Sequence, residues 1–130
     1  MLSVVQDFND YQFVIACTRS FTRDYYSSFI KDRDVKLVFD ETYTLLDNSL
    51  AALVTSGTAA LETALLNVPQ VVCYKTHWIT YFLARIFIKV KYISLVNILL
   101  NELVVKELIQ NSLNKINLSK ELLHVIKSND

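Results

Sequence analysis

A chain of 130 residues in which thirteen basic side chains are matched by thirteen acidic ones has no net charge, so charge gives no case for a nucleic-acid partner. Hydrophobic content of 52% against 20% charged residues excludes a disordered chain and suits a single globular domain with a sizeable core. Cys17 and Cys73 lie far apart inside apolar runs, without ligand spacing, and read as buried reduced thiols of an intracellular protein. Met1–Phe8 has no basic start and no long apolar run, so no signal peptide is expected.

From the amino terminus, Met1–Phe8 carries helical apolar spacing at Leu2, Val5 and Phe8, as the tail of a helix. Tyr11–Cys17 (YQFVIAC) reads as a buried strand. Thr22–Asp32 returns to helical spacing, with Thr22 as N-cap and Tyr25, Tyr26 and Phe29 inward. Val35–Phe39 is a second strand, Glu41–Asn48 a short helix and Ala51–Thr55 a third strand. Thr58–Leu66 is a helix, and Pro69–Tyr74 a fourth strand with its proline at the tolerated first position.

Thr76–Val90 is the next predicted helix, too short and too charged to span a bilayer. Its Trp78, Tyr81, Arg85 and Lys89 form an aromatic-cationic side. The simpler reading is a half-buried helix with snorkelling cations; the sharper one is contact with anionic lipid headgroups. Tyr92–Leu95 is a short extended piece, Val96–Asn97 a loop, and Glu102–Asn111 and Ser119–Ser128 two amphipathic helices. Strands alternating with helices at these spacings predict an α/β, Rossmann-like, doubly wound parallel sheet. No linker or repeat is visible, so residues 1–130 read as one domain.

With one glycine and one proline in the whole chain, Gly57 and Pro69 carry unusual weight. Ser56-Gly57-Thr58 falls between a buried strand and a helix start, where free N–H groups and the helix dipole favour an anion. An ordinary capped turn would look similar. Glu62 follows Thr58 by four residues, one too many for a capping box, and faces the same way. Its carboxylate is placed to accept hydrogen bonds from hydroxyls beside a phosphate, as on a nucleotide ribose, or simply to be solvated. Ligands of such sheets bind at the carboxyl ends of the strands, where this turn lies. The low glycine count counts against a second glycine-rich phosphate loop. His77 and His124 have no partner fixed by sequence, so no catalytic triad is supported.

The segments SGTAALETALLNVPQVVCYK and ITYFLARIFIKVKYISLVNILLNELVVKELIQ resemble, in order and spacing, the carboxyl-terminal half of the lipid-A-disaccharide synthase family. The usual forms there are SGTATLEAALLGVP-VVAYK, LTYWLAR, VKYISLPN and EVVPELLQ. Ala60 stands where threonine is common, Asn67 where glycine is common and Val96 where proline is common.

That resemblance implies half of a GT-B glycosyltransferase, with two Rossmann-like domains facing across a cleft. The implied reaction is inverting and needs no metal or other cofactor. It moves 2,3-diacylglucosamine from its UDP derivative onto 2,3-diacylglucosamine 1-phosphate, releasing UDP and forming the lipid A disaccharide. Implied UDP-binding residues are Ser56, Gly57, Thr58 and Glu62, joined by Asn97 of the SLVN segment and Gln110 closing the VKELIQ segment. Asn97 also fits a turn residue, and Gln110, like Glu107, a plain helix end.

The resemblance leaves the acceptor domain, the glycine-serine-arginine loop and the closing helices outside this chain. It is accordingly expected to be a partial donor-nucleotide-binding domain, inactive alone, with the general base in the absent domain. No catalytic residue is therefore assigned to it. Peripheral attachment to the cytoplasmic face of the bacterial inner membrane is implied as well. A sugar-nucleotide 2-epimerase of GT-B fold and a non-catalytic nucleotide-binding remnant are the alternatives.

Overall fold

The computed structural model describes residues 1–55, 57–76 and 91–128, which fall into two compact units, Met1–Ser49 and Leu50–Asp130. The architecture is α/β and Rossmann-like, with parallel strands alternating with helices, as the apolar patterning predicts.

In the first unit, β1 (Phe13–Cys17) pairs in parallel with β2 (Val35–Phe39), Phe13 opposite Val35 and Cys17 opposite Phe39. Leu2–Asp7 is a 3-10 helix rather than the α-helix expected, and a repeat of three at Leu2, Val5 and Phe8 suits that tighter winding. Val4, Val5 and Phe8 are buried, and the Phe8 ring meets Tyr11 and Phe13 edge-on.

Helix α1 (Arg23–Ile30) is capped by Thr22, whose hydroxyl accepts from the Tyr25 N–H at 3.3 Å. Its inward side differs from the expected one. Ile30 is buried and Tyr26 packs edge-on against Phe39, but Tyr25 and Phe29 are exposed, with Tyr25 stacked on Phe21 and edge-on to Phe29. Eight residues make little more than two turns, too few for spacing to separate Tyr25 and Phe29 from Tyr26 and Ile30. Helix α2 (Thr42–Asp47) buries Leu46 and completes the unit.

The second unit carries the sheet β3-β4-β5, all parallel, built from Ala52–Val54, Gln70–Tyr74 and Lys106–Ile109. Central β4 is buried from Gln70 to Cys73, and its Val71-Val72-Cys73 is the apolar run expected of a strand covered on both faces. Helices α3 (Thr58–Leu65) and α4 (Leu95–Leu100) cover one face, where Ala60, Val72 and Val96 form a core with Val54, Leu61, Ala64 and Val105 around it. By strand alternation Val71 and Cys73 point the other way. Helix α5 (Lys115–Lys127) packs on β4 and β5 and buries Leu118, Leu122 and Ile126 at a spacing of four.

Several expectations fail in this unit, the short extended piece at Tyr92–Leu95 among them, since Leu95 already opens a helix. Val96–Asn97 is no loop; both residues lie in α4, whose N-cap Ser94 accepts from the Asn97 N–H at 3.3 Å. Glu102–Asn111 is no helix; it supplies the edge strand β5, followed by a 3-10 turn at Gln110–Ser112. Leu103, Val104, Leu108 and Ile109 fit a helical period, but the strand is four residues long and partner pairing decides it. α5 also starts earlier than expected, because Asn114 caps it by accepting from the Asn117 N–H at 3.0 Å.

Candidate functional site

Because β3, β4 and β5 run parallel, their carboxyl ends share one edge, where open α/β sheets take ligands. Three pieces of chain leave there: Thr55–Thr58 after β3, Lys75–Thr76 after β4 and Gln110 after β5.

Gly57 is the N-cap of α3 at φ 106° and ψ −149°, a region essentially reserved for glycine. A Cβ added at this residue would meet nothing within 4 Å, so torsion rather than crowding reserves the position. As a glycine it offers α3 no capping side chain, and the first-turn N–H groups of a helix have no partner within it. Thr58 and Ala59 are exposed at that start, and Glu62 lies half-buried one turn on. Gly57, Thr58 and Glu62 are thus brought together on one helix start; Ser56 lies outside the described residues.

Asn97 sits elsewhere, fully buried in the polar joint between α4 and β5. Its Oδ1 accepts from the N–H groups of Val104 and Val105, each at 2.9 Å. Its Nδ2 donates to the Val105 carbonyl and to Glu107 Oε1, each at 2.8 Å. The Glu107 carboxylate also accepts from the Ile93 N–H at 3.0 and 3.1 Å and from the Ser94 N–H at 2.9 Å. A negative group is thereby fixed at the start of α4, where the helix dipole favours it.

Gln110 does reach the strand-end edge. It follows β5 with φ 51°, and its amide grips the backbone of Thr76: Oε1 accepts from the Thr76 N–H at 2.9 Å and Nε2 donates to the Thr76 carbonyl at 3.0 Å. Lys75, beside it, is exposed and puts a cation at the same edge. Sequence reasoning assigned Lys75 and Thr76 no role in the site; the signal available was the polar pair directly after an apolar strand.

The remaining reactive side chains are quiet. Cys73 is buried in β4, and burial pushes its thiol up to about 11; burial raises the Cys17 thiol as well. His124 stands in the last turn of α5, while His77, Trp78, Tyr81, Arg85 and Lys89 lie outside the described residues. Among the described residues no group of three His, Cys, Asp or Glu side chains could hold a metal ion, and no helix is long and apolar enough to cross a membrane.

A model of the family described as lipid-A-disaccharide synthetase matches residues 2–130. The lipid-A-disaccharide synthase of Vibrio campbellii is 36% identical over 129 residues, covering 96% of this chain and 34% of its own. That of Colwellia psychrerythraea is 42% identical over 96 residues, 72% of this chain and 24% of its own. That of Aquifex aeolicus is 48% identical over 94 residues, 70% of this chain and 26% of its own. The chain therefore spans at most about a third of the length of these curated relatives.

Proposed function

The chain belongs to the lipid-A-disaccharide synthetase family, and we propose that it carries the donor-nucleotide part of a lipid A biosynthesis glycosyltransferase. The single observation that carries this reading is the uncapped start of α3 behind Gly57, at the carboxyl edge of a parallel sheet. The substrates are a UDP-linked 2,3-diacylglucosamine as donor and 2,3-diacylglucosamine 1-phosphate as acceptor. The donor diphosphate lies against the N–H groups that open α3, with Ser56 and Thr58 offering hydroxyls. Glu62 accepts from the ribose hydroxyls. Gln110 adjoins the site at the end of β5, and Asn97, buried in the joint between α4 and β5, supports it without reaching the ligand.

This part of the reaction is leaving-group stabilisation. As the bond to the donor sugar breaks, charge gathers on the departing UDP, and fixed N–H donors with the α3 dipole are already aimed at it. The base that takes the proton from the acceptor hydroxyl belongs to another part of the enzyme, and attack of that hydroxyl on the anomeric carbon from the face opposite the departing UDP makes transfer inverting. No step calls on a metal. Acylated substrates put the enzyme at a membrane surface, the cytoplasmic face of the inner membrane.

The test is a double cycle on Glu62. Glu62→Gln keeps the shape and removes the charge-assisted part of its hydrogen bonds, worth about 1.5–3 kcal/mol, so UDP affinity should fall roughly ten- to a hundredfold. A 2′,3′-dideoxy UDP analogue should lose little more on the variant, giving a non-additive cycle by calorimetry. Simple addition of the two changes would remove Glu62 from the ribose.

A further inference from the structure

Both ends of the Gln110 amide are already engaged within the protein. Oε1 takes the Thr76 N–H and Nε2 the Thr76 carbonyl, across 34 positions of sequence, so the side chain mimics a strand partner for the first residues beyond β4. The backbone at Gln110 is held at φ 51°, a conformation that a non-glycine residue adopts only where its surroundings enforce it. Three residues earlier, within β5 itself, Glu107 grips Ile93 and Ser94 and is itself held by Asn97. β5 therefore fastens the chain on both sides of residues 77–92, at Thr76 and at Ile93–Ser94.

We propose that Gln110 and Glu107 are positioning residues for the nucleotide site, with Gln110 setting Thr76 and the neighbouring Lys75 at the strand-end edge without touching the nucleotide itself. The inference rests on the nucleotide reading above and gives the Gln110 amide a different task from a direct ligand contact. A clamp of this kind needs one donor and one acceptor facing one peptide unit. Only glutamine supplies both at this reach. A glutamate at the same place keeps the acceptor but sets a negative oxygen against the Thr76 carbonyl, and regains the donor only on protonation. Asparagine is too short by one methylene to span the same gap.

The experiment uses the 130-residue chain with Gln110→Gly, Gln110→Glu and Glu107→Gln, read by residue-resolved amide exchange and by calorimetry with UDP and inorganic pyrophosphate. Gln110→Gly suits φ 51° better than glutamine does, so it removes the clamp without burdening the fold. The Thr76 amide should exchange at least about tenfold faster in Gln110→Gly, with Ile93 and Ser94 unchanged; Glu107→Gln should accelerate those two instead. Gln110→Gly should weaken UDP and pyrophosphate by a similar factor, about five- to tenfold, because the edge moves and no uridine contact is lost. The Gln110→Glu deficit, taken relative to the unsubstituted chain, should shrink as pH falls from 8 toward 5, because a carboxylate facing a carbonyl has its pKa raised from about 4.3; that of Gln110→Gly should not change.

Unchanged Thr76 exchange, or a loss seen with UDP but not with pyrophosphate, overturns the proposal, the latter by making Gln110 a uridine contact. Binding of UDP by the unsubstituted chain and equally by every variant overturns the positioning role alone. Failure of the unsubstituted chain to bind either ligand removes the nucleotide reading, and the positioning role falls with it.

Discussion

At Gly57 the backbone adopts φ 106° and ψ −149° with open space where a side chain would project. Gly57→Ala should therefore cost about 1–3 kcal/mol of stability through torsion alone, measured by urea unfolding. A loss well under 1 kcal/mol would mean that the turn relaxes freely. Asn67, standing where glycine is common in the family's motif, meets a similar demand by another route. Its φ is 56°, in the left-handed region that asparagine tolerates better than other side chains, so this departure leaves the α3-to-β4 turn intact. Cys73 gives a prediction with a sign. Its thiol is held neutral up to about 11 in the fold, against an ordinary 9.0, so the unfolded chain ionises first. Stability should fall between pH 9 and 11 by more than it does in Cys73→Ala, compared by urea unfolding across that window. Gly57 and Cys73 were legible as a turn glycine and a buried thiol, because each rests on local chemistry.

The joint between α4 and β5 was not legible in the sequence, for an identifiable reason. Asn97, Ser94 and Glu107 look like surface polar residues in an amphipathic stretch, yet buried Asn97 and Ser94 and half-buried Glu107 form one network that depends on β5 pairing with β4. The helix expected at Glu102–Asn111 rested on apolar spacing over a strand of four residues, too short for periodicity to separate the two states. The local clue was Asn101, which closes α4 in the left-handed conformation at φ 52°. Asn97→Asp should be a severe change within this element. It keeps acceptors for Val104 and Val105 but sets a second carboxylate against Glu107 and removes the donor to the Val105 carbonyl. A loss on the order of 3 kcal/mol or more is expected in chemical unfolding, with accelerated exchange at Ile93 and Ser94. Wild-type stability in that variant would show that the network contributes little.

Over the whole chain, the alternation of strands and helices was readable because each β-α-β step is a local pattern repeated. The partnership of side chains across 34 positions, as between Gln110 and Thr76, has no local signature and needed the fold. Matching at most about a third of its curated relatives' length, the 130-residue chain is expected to bind nucleotide without making disaccharide. Transfer needs both reactants held in place, and the proposed site accounts for the donor nucleotide alone. Disaccharide formed by the purified chain from UDP-linked donor and acceptor would contradict that expectation. The most direct measurement for the central claim is a calorimetric series with UDP, uridine monophosphate and uridine on the same chain. If the start of α3 holds the diphosphate, affinity falls stepwise from UDP to the monophosphate to uridine, by tenfold or more in all, and Gly57→Ala flattens the series. Equal binding of all three ligands, or a series unchanged by Gly57→Ala, would place the diphosphate away from α3 and contradict the claim.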